Sequence, residues 1–324
     1  MRLAEVVALF WAGTLLVVYT RCSHLSLPPI LRDQVVAPVV TVLLLILSGY
    51  LVPMTLAGLR SVATVLGAAA GTPSAAGGPD LWGERLVARR ALGFVRDLGP
   101  LLFAVCAYPT TDVISDCLRG PVLFDADLAR IDVALFGGHP SVWTERFVTA
   151  ARTDILSLGY ALHVVNPAVL LLFLHLFRPR PRLVETAQGL VVIFVVGFAL
   201  YALVPAIGPR FAFPELYTRD LSGGTLTELN DRMVGATRAA RDAFPSMHVA
   251  ISALLLLYAF RASRLLGLVL LLPTVGNWVS TVYLRYHYGI DVVAGFLLVP
   301  LIDVVVRRYG RLRVRWPARG AGPG

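Results

Sequence analysis

The stretch Gly189-Leu190-Val191-Val192-Ile193-Phe194-Val195-Val196-Gly197-Phe198-Ala199-Leu200-Tyr201-Ala202-Leu203 holds no charged side chain, and the apolar run around it reaches from 184 to 206 with Glu185 as its one charge. A helix needs about 20 apolar residues to cross a hydrocarbon layer roughly 30 Å thick, so this run reads as a transmembrane span. Comparable runs lie outward of it at 3–20, 35–57, 98–115, 155–177, 246–262, 265–283 and 288–306. The expected fold is all-α, a polytopic transmembrane helix bundle of about eight spans. Pro109, Thr110, Thr111 and Asp112 interrupt the third run, which makes it the least regular. The last three runs are joined by short connections and should pack as antiparallel neighbours.

Composition agrees. The chain is 57% hydrophobic and 15% charged, with a mean hydropathy of +0.73, which excludes an ordinary soluble domain. A β-barrel would show short alternating segments instead. The first run starts at Leu3 without a small-residue cleavage site, so it reads as a retained span and not a signal peptide. The net charge of +9 comes from 29 basic residues, all of them Arg. They cluster in loops as topology demands, so no nucleic-acid partner is expected, and nothing implies an obligatory protein partner.

Placing the N-terminus inside puts Arg60, Arg85, Arg89, Arg90, Arg96, Arg178, Arg180, Arg182, Arg261, Arg264 and the tail from Arg307 on the cytoplasmic side. Both termini are then cytoplasmic. The Arg-only, Ala/Gly/Val/Leu-rich usage points to a GC-rich bacterial genome, and so to a bacterial plasma membrane. Three regions result: 1–97, two spans and a cytoplasmic linker with a flexible stretch from Gly67 to Pro79; 98–306, the membrane domain; and 307–324, a basic tail. Cys22 and Cys117 fall near the outer ends of their spans, where a disulfide is one reading, and Cys106 inside a span reads as packing.

The chemistry concentrates in Phe244-Pro245-Ser246-Met247-His248 and His287-Tyr288-Gly289-Ile290-Asp291. Two histidines and a carboxylate at the ends of apolar runs are costly to place and mark a working site. Pro245 suits the first turn of a helix, whose free N–H groups and dipole would attract a phosphate. His248, one turn in, can protonate a leaving oxygen. Asp291, four residues after His287, can accept from one ring nitrogen and leave the other nucleophilic. The topology brings both histidines to the same membrane side. Arg210 and Arg285 lie on that side as well, and their planar forks suit phosphate oxygens. His163, Asn166 and Asn277 lie within spans and read as helix–helix hydrogen bonds. Asp303 reads as the partner of a tail Arg.

These residues resemble a known family. Pro245-Ser246-Met247-His248 and Ser280-Thr281, followed by His287 and Asp291, resemble the second and third motifs of the type-2 phosphatidic acid phosphatase superfamily, and above all its inositol phosphorylceramide synthase branch. Val204-Pro205-Ala206-Ile207-Gly208-Pro209-Arg210-Phe211 resembles the first motif, and the run from Asp132 to Pro140 resembles a loop of that branch. The resemblance covers about residues 125–306. It implies a six-helix phosphatase-like core and a phospho-His287 intermediate. His248 would be acid and then base, Asp291 would orient His287, and Arg210, Arg285, Ser246 and Thr281 would bind the substrate phosphate. It implies no cofactor and no metal, with membrane lipids as substrate and as acceptor. Met247 and Thr281 stand where the superfamily usually has Gly and Arg, and the chain has no Lys for the first motif. These departures lean toward transfer of a phospho-headgroup at the extracytoplasmic face; release of inorganic phosphate is the alternative. Rivals of other classes are a lipid or solute transporter, a non-catalytic membrane scaffold, and a metal site at His248, His287 and Asp291.

Overall fold

The computed structural model describes residues 11, 13–14, 93, 97–108, 110–237 and 241–315. The described residues are helical and form no named strand, with one isolated bridge between Ala206 and Asp242. The main helices are α1 (Asp97–Ala107), α2 (Thr110–Arg119), α3 (Asp125–Phe136), α4 (Ala150–Phe177), α5 (Arg180–Leu203), α6 (Thr225–Thr237), α7 (Met247–Ala262), α8 (Arg264–Tyr283) and α9 (Gly289–Arg315). Single helical turns at Pro140–Trp143 and Pro209–Ala212 punctuate the loops.

Local chemistry sets the boundaries. The Thr149 side chain accepts the Arg152 N–H and caps α4. Pro179 and Pro181 end α4 and start α5, because proline cannot donate within a helix but fits a first turn. Ser263 closes α7 and caps α8 through its hydroxyl, so a single residue turns the chain back. That bears out the close antiparallel pairing of α7 with α8; α9 packs on α7 and α5 and not extensively on α8, although the connection from α8 is short.

Four helices, α4, α5, α8 and α9, are long and apolar enough to cross a membrane. The bent pair α1–α2, folded by 54° near the Pro109 interruption, makes a fifth if counted as one span. Helix α7 has 16 residues, about 24 Å at 1.5 Å per residue, and falls short of a full crossing by length. The runs at 3–20 and 35–57, and Cys22, lie outside the described residues apart from positions 11, 13 and 14. So the described part shows four to five crossings of the eight expected. Cys117 is disulfide-bonded and Cys106 is free.

The short α7 is the hub. It packs on α4, α5, α8 and α9, and Val249, Ala250, Leu254 and Ala259 along it are fully buried. The outer helices present their apolar faces outward: Leu265 is 72% and Leu272 80% exposed, as lipid contact demands. Helices α4 and α8 cross at Gly159 and Gly276, where a Cβ on Gly159 would sit 3.1 Å from the Gly276 carbonyl carbon. Small residues allow such approach where no water drives burial. Asn277 of α8 donates to the Tyr160 carbonyl of α4 at 3.4 Å and accepts from Ser252 of α7 at 3.4 Å, the interhelical bonding read from sequence. Asp303 binds tail-side Arg307 at 2.6 Å as expected, and also Arg261 of α7, with Arg261 Nη2 at 2.8 Å.

Helices α4, α7 and α9 begin, and α5 and α8 finish, at one end of the bundle. Helices α3 and α6 and the loops around 204–224 cover that end. Asp154 anchors the covering layer by accepting from the Gly224 and Thr227 N–H groups at 2.7 and 2.9 Å.

Candidate active site

The connection from α8 to α9 winds tightly. The N–H groups of Tyr286 and His287 both donate to the Thr281 carbonyl at 3.1 Å. Arg285 makes the turn with φ of 63°, a left-handed conformation that few non-glycine residues adopt. Next to it, Gly208 has φ of 86°, and a Cβ there would lie 2.3 Å from the Tyr286 carbonyl oxygen. Only glycine lets the 204–211 segment come this close.

The turn places His287 in the protein interior, 3% exposed. Its Nδ1 is 2.8 Å from the Ala243 carbonyl and 3.5 Å from Asp291 Oδ2. Both neighbours are acceptors, so Nδ1 carries the proton and Nε2 keeps its lone pair. That Nε2 faces His248 Nδ1 at 3.4 Å. The two histidines therefore meet, as the motif spacing predicts. The orienting group differs in emphasis. The Ala243 carbonyl is the nearer acceptor, while Asp291 Oδ2 takes the Tyr288 N–H at 2.8 Å. The reason is that α9 begins at Gly289, so His287 precedes the helix and is not one turn from Asp291 on a shared face. Asp291 also ties the site together through its carbonyl, which accepts the Ser246 N–H at 3.0 Å. Ser246 is the N-cap of α7, and Pro245 stands before the helix with a cis bond to Phe244, not in its first turn.

The four expected phosphate ligands are engaged elsewhere. Ser246 Oγ accepts the Val249 N–H at 3.5 Å, and Thr281 Oγ1 donates to the Trp278 carbonyl at 2.7 Å. Arg210 Nη1 donates to the Tyr286 hydroxyl at 2.9 Å and to Asp231 at 3.3 Å. Tyr286 packs on Tyr160 at 4.9 Å, and Tyr160 on His248 at 4.4 Å. Arg210 is thus two aromatic rings from the histidine pair. Arg285 is 6% exposed, pairs with Glu145 at 3.2 Å, donates to the Arg219 carbonyl at 2.7 Å and lies 4.0 Å over the Tyr217 ring. Burial holds the Arg285 guanidinium below its ordinary pKa. Burial pushes Glu145 up, yet the N–H groups of Arg219 and Thr218 and the Arg285 charge outweigh it, leaving Glu145 below the usual carboxylate range. Burial lifts Tyr286 to about 12, so its hydroxyl stays protonated toward its partners.

Sequence reasoning placed three further groups outside the site. Helix α3 aims two buried carboxylates at the site. Asp125 accepts from the Ile207 and Gly208 N–H groups at 3.0 and 2.9 Å and from the Tyr288 hydroxyl at 2.8 Å. Asp132 accepts from the Gly289 and Ile290 N–H groups at 2.8 Å each. The start of α9 is therefore filled by a protein carboxylate. Burial raises the pKa of Asp132 despite those two donors. Their spacing, seven residues apart on one helix face, is the signal that could have found them. The third group is His163 of α4, whose ring lies 4.3 Å from His248. It bonds its own helix at the Tyr160 carbonyl, and not a neighbouring helix as expected. Asn166 Nδ2 is buried without a partner among the described residues.

Comparison with known proteins identifies the family. Residues 126–304 match the profile of the PAP2 superfamily. A PA-phosphatase related-family protein of Dictyostelium discoideum is 29% identical over 105 residues, which is 31% of this chain and 19% of that protein. The shared stretch is thus about a fifth of the relative's length. No solved structure gives a significant match.

Proposed function

The chain belongs to the PAP2 superfamily, and we propose that it is a membrane-embedded enzyme that cleaves a lipid-linked phosphate ester through a phospho-His287 intermediate. One observation carries this reading: His287 Nε2, left with its lone pair by the bond from Nδ1 to Ala243, faces His248 Nδ1 at 3.4 Å. A phosphoryl group entering between the rings meets a nucleophile on one side and a proton carrier on the other. His287 Nε2 forms a bond to phosphorus as the bond from phosphorus to the leaving oxygen breaks, and that oxygen takes a proton from His248. An acceptor hydroxyl then gives its proton to His248 as its oxygen bonds phosphorus and the phosphorus–nitrogen bond breaks. Asp291 and the Ala243 carbonyl stabilise the charged ring. Arg210 and Arg285 are the cations assigned to the phosphate in this reading, and each would have to leave its present partners, Asp231 and Glu145, to meet it. The description of the Dictyostelium relative as PA-phosphatase related supports a phosphate-ester substrate.

The Arg distribution supports a site at the extracytoplasmic face. Transfer of a phospho-headgroup between lipids, in the manner of inositol phosphorylceramide synthases, is the version that Met247 and Thr281 support. The test is lipid mass spectrometry on the purified chain in detergent, given lipid phosphates and phosphatidylinositol with diacylglycerol and ceramide as acceptors. Products formed by wild type and absent with His287→Ala are expected. Free phosphate or a new lipid identifies hydrolysis or transfer. Unchanged products in a folded His287→Ala protein would remove the intermediate from consideration.

A further inference from the structure

The route above leaves His163 idle, and its surroundings argue against a packing role alone. A histidine inside a spanning helix is costly unless it works or is fully bonded. Its Nδ1 lies 2.6 Å from the Tyr160 carbonyl. A carbonyl can only accept, so Nδ1 bears the proton and Nε2 of the neutral ring is a lone-pair acceptor. Among the described residues no group partners that Nε2, and it is not among the sealed, unsatisfied atoms. The ring is half-buried and stands edge-on to His248, 4.3 Å between centroids, with the Tyr160 ring tilted against the His248 imidazole at 4.4 Å.

We propose that His163 is a specificity residue, the second hydrogen-bond acceptor for the attacking nucleophile, and that it selects nucleophiles carrying two O–H donors. This rests on the phospho-His287 reading. In the second half of that reaction the nucleophile lies against His248 and gives it one proton. Water has a second O–H, and a polyol has a neighbouring hydroxyl. Two hydrogen bonds of about 2.8 Å diverging from one water reach acceptors roughly 4–5 Å apart, and the His163 and His248 rings, 4.3 Å apart between centroids, are close enough neighbours to share one nucleophile. The second O–H donates to His163 Nε2, and its proton does not move. An alcohol with one hydroxyl satisfies His248 and leaves His163 without a donor, and a site built around a hydroxyl discriminates against a ligand that lacks it. Water and a vicinal polyol share this chemistry.

The experiment uses the full chain in detergent with a lipid phosphate that it turns over, and offers glycerol and 1-propanol together as acceptors in water. The ratio of glycerol ester to propyl ester is read by mass spectrometry, with inorganic phosphate reporting water. Wild type should favour glycerol by about fivefold to tenfold, the factor of one net hydrogen bond. His163→Phe keeps a ring against His248 and removes the acceptor, so its ratio should fall to about one. His163→Asn, with an amide oxygen as acceptor, should retain most of the preference. A wild-type ratio near one, or an unchanged ratio in folded His163→Phe, overturns the proposal. Activity that survives in His287→Ala overturns the phospho-histidine reading itself, and this proposal with it.

Discussion

Replacing Asp132 by Asn tests whether α3, outside the crossing helices, sets the position of His287. Asp132 is 1% exposed and receives the Gly289 and Ile290 N–H groups at 2.8 Å each. Asn keeps the shape but has one acceptor oxygen and one amino group, so one backbone donor then faces another donor. The charge-assisted bond lost is worth about 1.5–3 kcal/mol, and a stranded buried N–H adds about 1–3 kcal/mol. Part of this is returned, because burial already disfavours the Asp132 charge and raises its pKa. A net of about 3 kcal/mol follows. The start of α9 lies two residues from His287, and its displacement acts on a reaction that tolerates little misplacement. Expressed wholly in the rate, about 3 kcal/mol is about a hundredfold in kcat. The assay is turnover against substrate concentration, with a thermal melt as control. The expected result is kcat down by about 10² with KM within about twofold. A variant with wild-type kcat would refute the clamp, and so would a loss of melting temperature that fully accounts for the lost activity.

Two further outcomes follow from packing and charge. The folded pKa of Glu145 is depressed, so its contacts to Arg285, Thr218 and Arg219 should stabilise the protein above the ordinary Glu value of about 4.3 and be lost as pH falls through the lower folded value. Glu145→Gln should therefore lower the melting temperature by a few degrees at pH 7, about 1–2 kcal/mol, and the gap to wild type should shrink as pH is taken below the ordinary Glu value of about 4.3; a gap that does not change with pH contradicts the ion pair. Gly159→Val forces a branched side chain toward Gly276 backbone 3.1 Å away. It should destabilise by about 1–3 kcal/mol through overpacking, seen as an earlier melt in detergent, and an unchanged melt would mean that α4 and α8 separate freely.

The apolar runs by themselves determined the helical, membrane-spanning class, because about 20 uncharged residues in sequence have no cheaper home than lipid. Motif spacing also named the histidine pair: chain reversal at Ser263 leaves the start of α7 and the end of α8 at one end of the bundle. Only the tertiary structure decided which acceptor holds each donor. Thr281 and Ser246 look like phosphate ligands by type, yet their hydroxyls are taken by Trp278 and Val249 of their own helices. His287 has Asp291 at the right spacing, yet Ala243, distant in sequence, is nearer. Asp125 and the ring of His163 reach the site from positions outside every motif, and Asp132, though it opens a motif-like run, shows its hold on the start of α9 only in the packed structure. Hydrophobic periodicity is a property of each segment, and so it can be read along the chain. A hydrogen-bond partner is chosen by competition among all groups within about 3 Å, and that neighbourhood exists only after the helices have packed.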